Sequence, residues 1–137
     1  MSLTPTVLTD AYIVISGNTI SDHANKVAIN VQVAELKTTA FGQTWETRVG
    51  GLKDGTVDLD FFNDFVAANL DSIFWPLVGT VVTFEIRPTS AARSTGNPAY
   101  TGSLWIKEWK PISGNVGGLA TTSVSFPTSG TVSRQTS

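Results

Sequence analysis

Between Thr56 and Gly79 the spacing of apolar residues changes. Val57, Leu59 and Phe61 recur at every second position, the period of a strand with one buried face. From Phe62 the spacing lengthens: Phe62, Phe65, Val66, Leu70, Ile73, Phe74 and Leu77 stand three or four residues apart, as on one face of a helix. The junction predicts a strand running straight into a helix over about 64–75. Asn63 is the expected N-cap, with the Asp64 carboxylate near the positive end of the helix dipole. Pro76 disfavours helical geometry in the residue before it, and Gly79 suits the exit. So short a helix is marginal alone, which predicts that Phe65, Leu70, Ile73 and Phe74 pack it against a sheet.

The rest of the chain has the two-residue period. "AYIVIS" (11–16) is a β-branched run that stops at the turn pair Gly17-Asn18, where either residue tolerates positive φ. "KVAINVQVAEL" puts Val27, Ile29, Val31 and Val33 on one face and Ala28, Asn30, Gln32 and Ala34 on the other, the clearest strand of all. Strands are also predicted over 80–88, with Val82, Phe84 and Ile86 inward, over 100–112, where Leu104 and Ile106 oppose Trp105, Lys107 and Trp109, and over "TTSVSF". Residues 36–51 lack an apolar run long enough for a core strand and predict a long loop or loosely paired hairpin displaying Phe41 and Trp45. The Thr- and Pro-rich start (1–10) and the polar end (127–137) predict extended arms. About seven strands and one helix, with frequent turn signals, predict one mainly β domain spanning 1–137.

Composition narrows the functional classes. At 137 residues the chain is long enough for a substantial core, and with 41% hydrophobic but only 15% charged residues, part of its uncharged surface is expected to be covered by something. It has no cysteine, which excludes disulfides, thiolate metal sites and cysteine nucleophiles. The first ten residues lack a basic start and an apolar block, so no secretory signal is expected. The apolar stretch Ile73–Val82 is far short of the ~20 residues that span a bilayer, so no membrane association is expected. Net charge is −2 and the nine Lys and Arg are scattered, which argues against tight nucleic-acid binding.

Catalytic equipment is sparse. His23 is the single histidine, and no serine lies in a nucleophile-elbow motif. "GGLKDGT" (50–56) spaces glycines like a phosphate loop, but Thr56 stands where that loop needs its lysine, and the segment is expected to be a turn. Asp58 and Asp60 share a strand face roughly 7 Å apart, a separation a glycosidase carboxylate pair would tolerate. The favoured reading is the solvated side of a strand whose other face is buried. Trp75, Trp105 and Trp109 suit either a sugar-stacking platform or a core or subunit contact. No enzyme, cofactor or metal is expected.

In order and spacing, the segments "QTWETRVGGLKDGTVDLDFFNDF", "LDSIFWPLVGTVVTFEIRPTSAA", "NPAYTGSLWIKEWKP" and "SVSFPTSGTV" make the chain resemble the major tail tube proteins of long-tailed bacteriophages. The resemblance implies two packed antiparallel sheets, sandwich- or barrel-like, flanked by one α-helix. It also implies self-association into hexameric rings, stacked into a virion tail tube that conducts DNA as non-specific cargo and encloses the tape measure protein, in contact with other tail proteins. Assembly would take place in the host bacterial cytoplasm. On this reading the 36–51 loop, with Phe41, Trp45 and Arg48, would contact the next ring, Asp58 and Asp60 would line the lumen, and both arms would order only against neighbours. The chain ends without the immunoglobulin-like domain that some relatives append, so host-surface decoration is not implied. The competing reading is a monomeric β-sandwich binding module that holds carbohydrate on Trp105 and Trp109.

Overall fold

The computed structural model describes residues 5, 7–62, 70–112 and 114–137. The strands are β1 (Tyr12–Ile15), β2 (Asn18–Thr19), β3 (Ala24–Lys37), β4 (Arg48–Phe62), β5 (Val81–Arg87), β6 (Ala99–Trp105), β7 (Thr121–Pro127) and β8 (Ser133–Gln135). They form two antiparallel sheets, a five-stranded one ordered β2-β1-β5-β6-β8 and a three-stranded one ordered β3-β4-β7. Each sheet turns its alternate apolar row inward. Ile13, Ile15, Phe84, Ile86 and Leu104 face Val57, Leu59, Phe61, Val124 and Phe126 across the core, all buried.

The strand-to-helix junction itself, residues 63–69, lies outside the described residues. β4 ends at Phe62, and α1 is seen over Leu70–Phe74. The expected cap Asn63, with Asp64, Phe65 and Val66, lies outside the described residues. The α-helical part ends at Phe74, next to the expected Trp75. The chain then tightens into a 3-10 turn, Trp75–Leu77, in which Pro76 occupies a first-turn position where no backbone N–H is needed. Phe74 is fully buried, while Ile73 and Leu77 are partly buried against the core.

Four expectations change. The first hairpin turns at Ser16-Gly17 rather than Gly17-Asn18: Val14 pairs with Thr19 and Ile15 with Asn18, and Ser16 and Gly17 take φ of 54° and 79°. That is the left-handed pair of a two-residue turn matching strand twist. Of the two readings of 36–51, the paired hairpin is the one that forms, because β3 and β4 stay paired as far as Lys37 and Arg48 and residues 38–47 make its tip. "GGLKDGT" is accordingly part of β4 and not a turn. The register shifts between Val33 and Glu35, where the single residue Ala34 of β3 faces Leu52 and Gly51 of β4, and a Cβ on Gly51 would come within 3.2 Å of the Ala34 Cβ, so glycine suits this bulge.

The strand predicted over 100–112 ends at Trp105. Beyond it the Ile106 N–H donates to the Thr80 carbonyl at 2.9 Å and the chain leaves the ladder, so strand alternation no longer governs Trp109. The C-terminal arm is docked on its own subunit. β8 pairs with β6, from Ala99 opposite Gln135 to Thr101 opposite Ser133, and Val132 packs against the core. Arg93 donates to the Gln135 side chain, adding a clasp from the loop that precedes β6.

Candidate assembly surfaces

The paired ends of β3 and β4 carry a hairpin beyond the sandwich. Its tip is ordered by its own hydrogen bonds: the Thr38 N–H donates to the Thr47 carbonyl at 2.8 Å, and the Thr38 and Thr47 hydroxyls lie 2.7 Å apart. The Ala40 N–H donates to Gln43 Oε1 at 2.8 Å, and Gly42 supplies the positive φ of 90° that closes the turn. Phe41 is fully exposed and Trp45 is 84% exposed.

Arg48 belongs to the base of the tip. It pairs with Glu35 on the neighbouring strand and with Glu46 at 2.6 Å, and Lys37 reaches Glu46 at 3.1 Å. These exposed ion pairs set the hairpin's conformation more than its stability. Periodicity places Val31 and Val33 on the same strand face as Val27 and Ile29, yet both are exposed, and it does not mark Leu36, Val49 and Leu52, which are exposed along the same ribbon. Their signal was an apolar row continuing past the point where the opposite sheet ends.

The outer face of the three-stranded sheet is small and polar. Across it run the rows Lys26, Asp60 and Ser123; Ala28, Asp58 and Ser125; and Asn30, Thr56 and Pro127. Asp58 and Asp60 thus sit side by side on β4, half-buried among short neighbours. Among the described residues no group of three or more His, Cys, Asp or Glu side chains is placed to hold a metal ion. Among the described residues, β3 and β7 each have a hydrogen-bonded strand neighbour on one side only.

Trp105 and Trp109 do not form a platform, and Trp75 is exposed beside the end of α1. Trp109 is 8% exposed and stacks on Phe74, with its indole N–H donating to Asp71 Oδ1 at 3.1 Å. Trp105 is 47% exposed and lies opposite Val81, itself exposed, on the outside of the other sheet. One ring is core and the other is surface. Of the helix residues expected to pack on the sheets, Phe74 is enclosed by Phe61, Phe126 and Trp109 at ring-centroid distances of 5.8, 6.0 and 4.7 Å, and Ile73 lies at the core margin. Leu70 opens the described part of α1, and Phe65 lies outside it.

Where the two sheets part, an apolar cleft of about 160 Å³ opens between Val27 and Ile29 of β3 and Ile86, Pro88 and Tyr100 of the opposite layer, with Leu8 at its side. Arg87 also lines it. Its guanidinium lies 4.1 Å from the Tyr12 ring centroid, pairs with Glu85 at 2.8 Å and donates to the Ala91 carbonyl at 2.6 Å, so its charge is already engaged. Glu85 accepts from Arg93 at 2.6 Å as well. That hydrogen bond, reinforced by the charges of Arg93 and Arg87 and opposed by partial burial, holds its carboxyl below the ordinary value of 4.5.

No protein-family model and no curated protein matches the sequence. Solved structures match the fold. A chain from the virion of a native gene transfer agent particle superposes with a TM-score of 0.69 at 14% identity, covering 90% of this chain and 95% of that one. A chain from the tail of an empty gene transfer agent particle, refined with C6 symmetry, gives 0.63 at 16% identity over 85% and 84%. The two-sheet, mainly β architecture with one short helix is therefore one found in a phage-like particle and its tail.

Proposed function

We propose that this chain is the repeating subunit of a phage tail tube. Six copies close into a ring and the rings stack into a hollow conduit in the virion, enclosing the tape measure protein during assembly in the bacterial cytoplasm and passing DNA as non-specific cargo. The subunit joins other tail proteins at the tube's ends and performs no catalysis. It needs no cofactor.

The observation that carries this reading is the three-stranded sheet. Its inner face packs into the core, its outer face is a row pattern of Ser, Asp, Asn, Thr, Ala and Pro with Lys26 beside Asp60, and among the described residues both of its edges, β3 and β7, lack a second strand neighbour. Open edges are satisfied when another strand comes alongside, and in a closed ring every copy uses the same pair of surfaces. Joined edge to edge, such sheets would line a bore with short polar groups, Asp58 and Asp60 among them, that repel phosphates and give bases nothing to stack on. The fold shared with a tail chain solved under C6 symmetry supports six as the ring number. The projecting hairpin with Phe41, Trp45 and Arg48 is the contact between rings.

Negative-stain micrographs of concentrated protein test the proposal. Hollow rods with six-fold end views are expected. Monomers at every concentration would end it.

A further inference from the structure

We propose that the Phe41 ring of one copy seats in the apolar cleft beside Leu8 of a second copy, so that each subunit carries both a plug and the socket for it. The inference rests on the tube reading and names the partner of its hairpin contact. The plug is an exposed phenyl ring on a turn held by its own hydrogen bonds, so little is lost in ordering it. Residues 38–45 around it contain no charged side chain, in a chain where 15% of residues are charged.

The socket matches in size and polarity. A cavity of about 150 Å³ lined by aliphatic and aromatic side chains takes up benzene, and this cleft measures about 160 Å³ between Val27, Ile29, Ile86 and Pro88. Arg87, the charged residue among those lining it, stacks on Tyr12 and pairs with Glu85, a carboxylate it shares with Arg93. An uncharged tip thus meets a cleft whose remaining lining is apolar apart from the Tyr100 hydroxyl.

The plug cannot reach its own socket. Ile29 and the tip lie on one hydrogen-bonded ribbon, and the eight steps from Ile29 to Lys37 already span about 26 Å of strand. The occupant must come from another molecule. Used head-to-tail, plug and socket propagate the contact from copy to copy, whereas a reciprocal exchange between two copies would stop cross-linking of the double variants at a dimer.

The native chain has no cysteine, which makes cross-linking unambiguous. Full-length Phe41→Cys mixed with full-length Leu8→Cys or Pro88→Cys should give a disulfide-linked pair of the two chains on oxidation, and the double variants Phe41→Cys/Leu8→Cys and Phe41→Cys/Pro88→Cys should give ladders of many chains. Leu8→Glu, at a position 59% exposed, should fold normally yet raise the concentration needed for rods at least tenfold, as should Phe41→Ser. Rods from native protein together with no cross-link at either position, or with normal assembly of Leu8→Glu, would overturn the plug and socket while leaving the tube standing. A disulfide closed within one chain would also overturn it. Native protein that never associates would remove both.

Discussion

Trp109 lies against Phe74 with ring centroids 4.7 Å apart and planes inclined by 12°. The pair joins the chain after β6 to the helix, and Phe61 and Phe126 complete the cluster. A short helix is held here by burying aromatic rings, which stiffens a subunit meant for repetition. Trp109→Ala should cost about 3–5 kcal/mol in urea unfolding, whereas Trp105→Ala, on the outer face, should stay within about 0.5 kcal/mol. Equal effects would refute the division into core and surface rings.

Ile73 marks the margin of the same contact. Ile73→Asp would bring a carboxylate against the sheets with nothing described there to pair it, and a loss of several kcal/mol or failure to fold is expected. A variant that melts like the parent would mean that α1 presents a different face.

Removing residues 131–137 strips β8 from β6 and takes Val132 off the core. The shortened protein should remain folded but lose about 2 kcal/mol, roughly the worth of one buried valine. Hydrogen exchange should quicken along β6, the strand whose outer edge is uncovered. Unchanged protection of β6 would contradict the docking of the C-terminal segment.

Glu85 supplies a pH signature. Its carboxyl titrates below 4.5 in the folded chain, chiefly through the hydrogen bond from Arg93, so the pair's stabilisation is present above the unfolded-state pKa and disappears as pH falls through the folded one. Glu85→Gln should lower Tm by about 2–4 °C at pH 7, and the two melting curves should converge in acid below pH 4.5. A difference that does not vary with pH would assign the effect to packing.

The exposed tip should be thermodynamically silent in the monomer. Phe41→Ser and Trp45→Ser should each leave the unfolding free energy within about 0.5 kcal/mol of the parent. A larger loss would show that these rings already pack within their own subunit.

The sequence was most readable where one face of a strand meets the core. Val57, Leu59 and Phe61, and again Val82, Phe84 and Ile86, alternate because every second side chain is enclosed. Residues 36–37 and 48–51 looked like loop because their strands project beyond the opposite sheet, where no core imposes alternation. Trp109 was placed on the wrong face because strand parity was carried past Trp105, where the ladder ends. β8 is three polar residues held by backbone bonds, and such pairing leaves no mark in side-chain order. Phe41 and Trp45 were singled out as exposed aromatics, but the cleft beside Leu8 gathers residues from distant segments and has no linear signature.

β3 and β4 share one ladder from the middle of the sheet to the base of the hairpin, interrupted by two shifts of register. The bonds between antiparallel strands run perpendicular to them. A pull on the tip, directed along the strands, therefore draws both backbones together, so it neither slides β3 past β4 nor unzips their rungs one by one. Tension applied at Phe41 passes straight into the body of the subunit, and the same ribbon that reaches outward acts as a tie rod.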